Sequence, residues 1–174
     1  MNETTLSADE REAALYARLE ALGIRYRTYE HAPVFTVEES APVKDVIPGG
    51  HTKNLFLKDK KGGLWLAVVR AELRVDLPAL AKQLGAPRFS FGSAELLLAT
   101  LGITPGSVTP FALINDAERK VQPVLDADML KLEPVNYHPL RNDRTTAIAP
   151  EDLVRFVEAC GHKPIIAPIP EFAR

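Results

Sequence analysis

The feature that most constrains the fold is a pair of apolar segments joined by a short turn rich in glycine and lysine. The segments span residues 53–58 and 64–69, and the turn between them reads "DKKGG". Two strand-length apolar runs separated by such a turn predict a β-hairpin with a buried face. The first strand is unusual, because its apolar triplet Leu55-Phe56-Leu57 directly follows Lys53 and Asn54.

Helix signals lie on both sides of the hairpin. Ser7 and Glu10 form a capping box for a first helix that ends at Gly23, and Thr36 and Glu39 are a second such box in a predicted short helix. Three further helices begin and end with typical residues, which are Asp76 and Gly85, Ser93 and Gly102, and Pro150 and Gly161.

Other segments have strand character. They are "IRYRTYE", the strand part of "GSVTPFALIND", "KVQPVLDADM", "LEPVNYHPL", the segment before Pro150, and "KPIIAPI". Because several strands are linked by hairpins, we expect a mixed α+β fold of the α/β type. Its central sheet would be mixed and largely antiparallel, with helices around it. We expect residues 1–174 to form a single domain.

Charge and composition exclude several classes of protein. The chain of 174 residues has a net charge of −2, but residues 51–75 hold six Lys or Arg and only two acids. Such a basic stripe suits a few phosphate contacts, although lysines at a solvated hairpin turn are an equally good explanation. No apolar run is long enough to span a membrane, and the acidic N-terminus does not resemble a signal peptide. We therefore expect a cytoplasmic protein.

The cysteine and the histidines do not predict a metal centre. Cys160 is the single cysteine, and the histidines are dispersed without zinc-like spacing, so we expect no metal and no cofactor. Packing is a better explanation for Cys160 than nucleophilic chemistry.

Three polar stretches are candidates for a functional site. "HTKNLFL" places an ammonium and an amide at the entrance to a buried strand, although a lysine with its head in solvent is the plainer explanation. "TPGSVTPF" is a rigid turn whose amides are able to hold a carbonyl oxygen, or else an ordinary loop. "NYHPLRNDRTT" concentrates polar groups that suit phosphate or water, or else a turn stabilised by its own side chains.

In this order, "GGHTKNLFLKDKKG", "GSVTPFALIND" and "NYHPLRNDRTTAI" resemble the prolyl-tRNA synthetase-associated editing domain. This family belongs to the YbaK-like superfamily of aminoacyl-tRNA deacylases. Since no aminoacylation or anticodon-binding domain is attached, the chain resembles the free-standing, ProXp-ala type of trans-editing factor. The resemblance implies hydrolysis of alanine mischarged on tRNA(Pro), with Pro-tRNA(Pro) spared. A proline pocket cannot exclude the smaller alanine by size, so a second site must remove it.

The resemblance also implies roles for particular residues. Lys53, Gly106 and His138 match the active-site lysine, the loop glycine that approaches the ester carbonyl, and the histidine near the aminoacyl adenosine. Asn54, Ser107, Val108 and, more weakly, Thr146 would bind the substrate. Candidate pocket-wall residues are Val34, Phe35, Leu55 and Val108, and candidate tRNA contacts are Lys58, Lys60, Lys61, Arg141 and Arg144.

The resemblance implies partners as well. The acceptor end of mischarged tRNA(Pro) would be the substrate, prolyl-tRNA synthetase is a second candidate partner, and neither DNA nor a membrane is expected. Two alternatives stay open, which are a deacylase for another small residue such as serine or cysteine, and a non-catalytic module that binds tRNA or a synthetase. On the leading hypothesis, Lys53 and the amides around Gly106 converge on one small cavity.

Overall fold

A computed structural model describes residues 6–33 and 46–173 of the chain. Its helices are α1 (Ala8–Ala21), α2 (Leu77–Leu84), α3 (Ala94–Leu101) and α4 (Pro150–Ala159). Its strands are β1 (Tyr26–Glu30), β2 (Thr52–Asp59), β3 (Leu64–Arg70), β4 (Phe89–Phe91), β5 (Val121–Asp126), β6 (Val135–Tyr137), β7 (Arg144–Ile148) and β8 (Ile165–Ala167). Short 3₁₀ helices span Pro105–Ser107, Pro110–Asn115 and Met129–Lys131.

The strands form two sheets. The larger has the order β4-β2-β3-β5-β8, with antiparallel pairing of β2 to β3 and β4 and parallel pairing of β5 to β3 and β8. The smaller has the order β1-β7-β6 and is antiparallel throughout. The predicted mixed, largely antiparallel architecture with surrounding helices is therefore confirmed.

The β2–β3 hairpin lies at the centre of the larger sheet and is buried on both faces. Phe56 and Leu66 pack into one apolar cluster together with residues of α1, α3 and α4. Their strand neighbours Leu57 and Ala67 pack into a second cluster with residues of α2. Because successive side chains of a strand point to opposite faces, the apolar triplet supplies both layers of the core.

Local capping explains where the helices begin. The side chains of Ser7, Asp76 and Ser93 accept hydrogen bonds from the amides three residues later, as expected of N-cap residues. Gly85 and Gly102 end α2 and α3 in left-handed conformations at φ 67°. The predicted bounds of these helices are confirmed.

Two assignments within the described ranges were wrong. The strand expected in "GSVTPFALIND" is a pair of 3₁₀ helices, because Thr109 caps the second one at the amide of Phe111 and Pro110 begins it. The edge strand β4 was missed, since a strand of three residues has too little periodicity to detect. The predicted short helix around Thr36 and Glu39 lies outside the described residues.

Among the described helices, none combines the length and the apolar character that crossing a membrane requires.

Candidate active site

The beginning of β2 is joined to the "GSV" turn by a side-chain hydrogen bond. Asn54 Nδ2 donates to the carbonyl oxygen of Val108 over 3.1 Å. The other amide atom, Asn54 Oδ1, is buried and has no hydrogen-bond partner among the described residues. A buried acceptor of this kind costs free energy unless a donor reaches it. The structure therefore brings together two of the three polar stretches that the sequence singled out.

Lys53 leaves the strand on the opposite face from Asn54. Its half-buried side chain extends toward Leu73, and Lys53 Nζ donates to the carbonyl oxygen of that residue. Leu73 belongs to the second apolar cluster, whereas Val108 packs against the first. The contact with the turn is thus made by Asn54, and the convergence of Lys53 and Gly106 on one substrate stays a prediction.

The turn that contains Gly106 is a 3₁₀ helix over Pro105–Ser107. The buried Ser107 donates its amide to the carbonyl oxygen of Thr104 over 2.9 Å. Because this donor is engaged within the turn, the amides of Gly106 and Val108 are better candidates for contact with a ligand. The side chain of Val108 is partly buried and packs against the first cluster, and its place in a pocket wall stays a prediction.

Asn136, in the third polar stretch, fixes the segment that enters β2. Its side-chain nitrogen donates to the carbonyl oxygens of Pro48 and Gly50, over 3.1 and 3.0 Å. The chain passes very closely here, because a Cβ atom on Gly50 would lie 2.6 Å from a methyl carbon of Leu132. Thr52 donates its hydroxyl to the Asn136 carbonyl oxygen over 2.6 Å. These bonds hold the smaller sheet against the beginning of β2.

His138 follows β6 in the same stretch and is held in one tautomer. Its Nδ1 lies 2.8 Å from the carbonyl oxygen of Arg144. A carbonyl oxygen can only accept, so Nδ1 carries the proton and Nε2 of the neutral ring is an acceptor. Burial lowers the pKa of His138 below 6.5, and the neighbouring His31, with ring centroids 6.2 Å apart, lowers it further. The bond to Arg144 and the charge of Asp143 oppose this shift without reversing it.

Thr146 belongs to a buried network of hydroxyl groups. It is fully buried in β7, and its hydroxyl lies 2.8 Å from that of Thr28 and 3.3 Å from that of Tyr16. This network ties α1, β1 and β7 together, and packing accounts for the residue. That Thr146 contacts the substrate stays a prediction.

The two arginines proposed to contact tRNA are engaged with acids. Arg141 forms a two-pronged pair with Asp143, at 2.5 and 2.8 Å, and its third nitrogen lies 2.5 Å from Asp9 Oδ1. These partners raise the pKa of Arg141. Arg144 donates to the buried carboxylate of Glu12. Since their charges are compensated locally, both arginines serve first to hold the loop between β6 and β7.

The three lysines of the hairpin differ from these arginines, because they lie on the exposed surface. Lys58, Lys60 and Lys61 are exposed, and within the described ranges none of them forms an ion pair. Asp59 folds the turn between them by accepting from the amides of Lys61 and Gly63 and from the indole of Trp65. Lys58 lies about 17 Å along β2 from Lys53, at the usual rise per residue. The basic turn is therefore remote from the beginning of the strand.

The sequence did not indicate three residues that shape the candidate site. They are His31, Glu12 and Asn136, the last of which has a structural role. His31 Nε2 lies 2.8 Å from the Thr145 hydroxyl. Glu12 and its arginine partner are 132 residues apart in the chain, so no local pattern connects them. The signal for Glu12 was its position among the apolar residues of α1, because a charged residue on a buried helix face requires a partner.

Cys160 lies at the end of α4 and packs against the first apolar cluster. Burial raises the pKa of the Cys160 thiol to about 11, which disfavours the reactive thiolate and agrees with a packing role. Within residues 6–33 and 46–173, no three side chains of His, Cys, Asp or Glu are grouped as a metal site requires.

Comparison with known proteins adds to this picture. The model of the aminoacyl-tRNA editing domain family matches residues 31–156. The chain is 43% identical over 166 residues to the prolyl-tRNA synthetase associated domain-containing protein 1 of Bos taurus, which covers 92% of this chain and 96% of that protein. It is 35% identical over 150 residues to the prolyl-tRNA editing protein ProX of Acetoanaerobium sticklandii, covering 86% of this chain and 92% of the relative.

A solved structure has the same fold. A crystal structure described as that of a candidate trans-editing enzyme for prolyl tRNA synthetase superposes with a TM-score of 0.72, over 96% of this chain and 99% of the other. At 21% identity, this likeness supports the architecture alone. The family match extends over most of the chain and includes all three polar stretches. This protein therefore belongs to the aminoacyl-tRNA editing domain family and is related to the prolyl-tRNA editing proteins.

Proposed function

We propose that this protein is a trans-editing deacylase that hydrolyses the ester bond of Ala-tRNA(Pro) and spares Pro-tRNA(Pro). The observation that carries the proposal is the hydrogen bond between Asn54 and Val108. It joins the strand that contains Lys53 to the turn that contains Gly106, and so couples two motifs that are far apart in sequence. The relationship to prolyl-tRNA editing proteins supports the choice of tRNA(Pro).

In this proposal the reaction is ester hydrolysis by water. Water adds to the ester carbonyl, the bond from the carbonyl carbon to the ribose oxygen breaks, and the proton from water passes to that oxygen. The products are free alanine and deacylated tRNA. The ester is already activated, so orientation and polarisation of the carbonyl supply most of the acceleration.

Each candidate residue has one role in the proposed reaction. The Gly106 amide polarises the ester carbonyl, and Val108 forms part of the wall that admits a methyl group. Asn54 Oδ1, a buried acceptor, receives a hydrogen-bond donor of the substrate. Lys53 binds phosphate or ribose oxygens where the acceptor end of the tRNA passes the beginning of β2. Ser107 holds the turn in shape, because its amide donates to the carbonyl oxygen of Thr104.

His138 acts through its Nε2 atom. Because the ring is neutral and Nδ1 donates to Arg144, Nε2 accepts a hydrogen bond from the attacking water or from a ribose hydroxyl. A substrate hydroxyl beside the ester then helps to activate the water, so the proposed reaction does not require a catalytic triad. Positioning is the main role that we assign to His138.

The surface that receives tRNA is the remaining part of the proposal. Lys58, Lys60 and Lys61 are exposed cations and suit contacts with the phosphate backbone. We assign to Arg141 and Arg144 no more than a secondary part, because acids compensate them. We also propose that residues 1–174 act as one editing domain in the cytoplasm, with prolyl-tRNA synthetase as a transient partner.

A deacylation assay with four substrates tests the proposal. Alanyl-, seryl-, cysteinyl- and prolyl-tRNA(Pro) are offered to the wild type. Rapid loss of alanine alone supports the assignment, whereas preferred release of serine or cysteine identifies a deacylase for another small residue. Tight binding of tRNA without turnover identifies a non-catalytic module.

A further inference from the structure

Helix α1 carries a buried charged side chain among the residues that pack against the core. Glu12 is only 4% exposed, yet it carries a carboxylate. Burying a carboxylate is costly, and it is tolerated only when several donors compensate the charge.

Two partners of Glu12 are arginines, one within the loop between β6 and β7 and the other at the first position of β7. Arg144 donates to Glu12 Oε1, and the guanidinium of Arg141 lies 3.7 Å from the same atom. Tyr16 donates its hydroxyl to Glu12 Oε2 over 2.9 Å. Asp9, one turn earlier on α1, takes the third nitrogen of Arg141 at 2.5 Å. Helix α1 thus clamps Arg141 of the loop that follows β6 and Arg144 at the beginning of β7.

This loop contains His138, and the clamp reaches the imidazole through the backbone of Arg144. The carbonyl oxygen of Arg144 accepts the hydrogen bond from His138 Nδ1. The side chain of the same residue is held by Glu12. Asp143, the other partner of Arg141, accepts the amide of His31 over 3.0 Å through its carbonyl oxygen. The two residues that lead up to the Arg144 carbonyl, Asp143 and Arg144, therefore both have their side chains in charged pairs.

We infer that Glu12 is a positioning residue, which holds the loop between β6 and β7 so that His138 keeps Nδ1 protonated and Nε2 available as an acceptor. Glu12 lies outside residues 31–156, so it is not part of the region that the family model describes. The inference deepens the proposed function, because it concerns the histidine that this function uses.

The test compares Glu12→Gln with the control Glu10→Gln. Glu10 is an exposed residue of the same helix, and its described bond to Ser7 uses its amide and leaves its carboxylate uninvolved. The tautomer of His138 is read from the ¹⁵N chemical shifts of its ring, with His138→Asn to identify the signals. This measurement needs no substrate, so it does not depend on the proposed reaction.

We expect Glu12→Gln to convert the single tautomer of His138 into a mixture and to bring its titration midpoint closer to 6.5 as the loop loosens. For Ala-tRNA(Pro) we expect kcat to fall on the order of tenfold, with KM nearly unchanged, because displaced groups cost rate more than binding. Glu10→Gln should change neither. Arg144→Lys, which keeps the charge but loses the guanidinium that contacts Glu12 and Glu30, should show the same effects in weaker form.

An unchanged tautomer in folded Glu12→Gln would overturn the inference. A change in kcat with no change in tautomer would also overturn it, since Glu12 would then act by another route. If Glu12→Gln does not fold, Arg144→Lys decides on the same two readouts. A shifted tautomer in a protein whose wild type hydrolyses none of the substrates supports the inference and rejects the proposed function.

Discussion

Asn54 Nδ2 lies 3.1 Å from the carbonyl oxygen of Val108, and this bond connects two segments of the chain that are 54 residues apart. One segment enters the central hairpin, and the other is a turn built from two 3₁₀ helices. The bond fixes the distance between the strand that bears Lys53 and the turn that bears Gly106.

Removal of this bond should damage both stability and activity. Asn54→Ala leaves the Val108 carbonyl without its donor, and we expect the free energy of unfolding to fall by about 1 kcal/mol. Deacylation should fall far more than this change in stability explains, since the substrate also loses its acceptor. Urea unfolding and single-turnover kinetics measure the two effects.

Ser90→Ala is a matched control for that experiment. Ser90 lies on the neighbouring strand β4, is exposed, and makes a long bond of 3.4 Å to a backbone carbonyl. We expect a change of unfolding free energy within about 0.5 kcal/mol and unaltered kinetics. Equal losses of activity in both variants would contradict the role given to Asn54.

His138 should make stability depend on pH in a defined direction. Its pKa in the folded protein is below the ordinary value of 6.5, chiefly because of burial. The unfolded chain therefore binds more protons than the folded one between these two pKa values, and stability falls as the pH is lowered through that window. Thermal unfolding of the wild type and of His138→Asn, from pH 7.5 down to pH 5, should show a smaller loss in the variant.

The lowered pKa of His138 should also determine where activity is lost on the acid side of the pH–rate profile. Since Nε2 must accept a hydrogen bond, activity should fall with an apparent pKa below 6.5. His31 faces His138, and both Asp143 and Arg144 lie beside it, so His31→Asn should raise this apparent pKa slightly. An acid limb centred above 6.5 in the wild type would contradict the neutral, buried imidazole.

Substitution of an arginine of the β6–β7 loop should affect stability, whereas substitution of the hairpin lysines should affect tRNA binding. Arg141→Gln breaks the pair with Asp143, and we expect it to lower the free energy of unfolding by about 2 kcal/mol. Lys60→Ala combined with Lys61→Ala should leave unfolding unchanged but weaken tRNA binding. If two phosphate contacts are lost, the negative slope of log K against log salt concentration should become less steep by about 1.5.

Filter binding at several salt concentrations, together with urea unfolding of the same preparations, checks both halves of this prediction. If the double lysine variant bound tRNA like the wild type while Arg141→Gln lost binding without loss of stability, the assignment of the basic turn would be reversed.

Cys160 should be dispensable for catalysis. Its thiol is partly buried beside the first cluster, and burial raises its pKa to about 11. We expect slow alkylation of the native protein at pH 8 and full deacylase activity in Cys160→Ala. Loss of activity on alkylation of the folded protein would point to a nucleophile that the proposed mechanism does not contain.

The local features of the fold were predictable because their causes are local. Ser7, Asp76 and Ser93 cap helices through bonds to residues three positions away, and the hairpin turn is held by Asp59 within five residues. The 3₁₀ helix at Pro110–Asn115 was not predictable, because its short apolar run suits a buried strand equally well.

The site was predictable only in part. The candidate motifs were visible, and the comparisons confirm the family to which they belong. The compensation of Arg141 by Asp9 was invisible, since these residues are 132 positions apart. The opposite faces of Lys53 and Asn54 follow from strand alternation, which the sequence already implied.

The most direct test of the central claim is the rate of deacylation of Ala-tRNA(Pro) beside that of Pro-tRNA(Pro), with wild type and Lys53→Ala in parallel. The account predicts that the wild type releases alanine and leaves prolyl-tRNA intact, and that Lys53→Ala loses most of this activity while keeping its fold. Equal hydrolysis of both substrates, or a fully active Lys53→Ala, would contradict it.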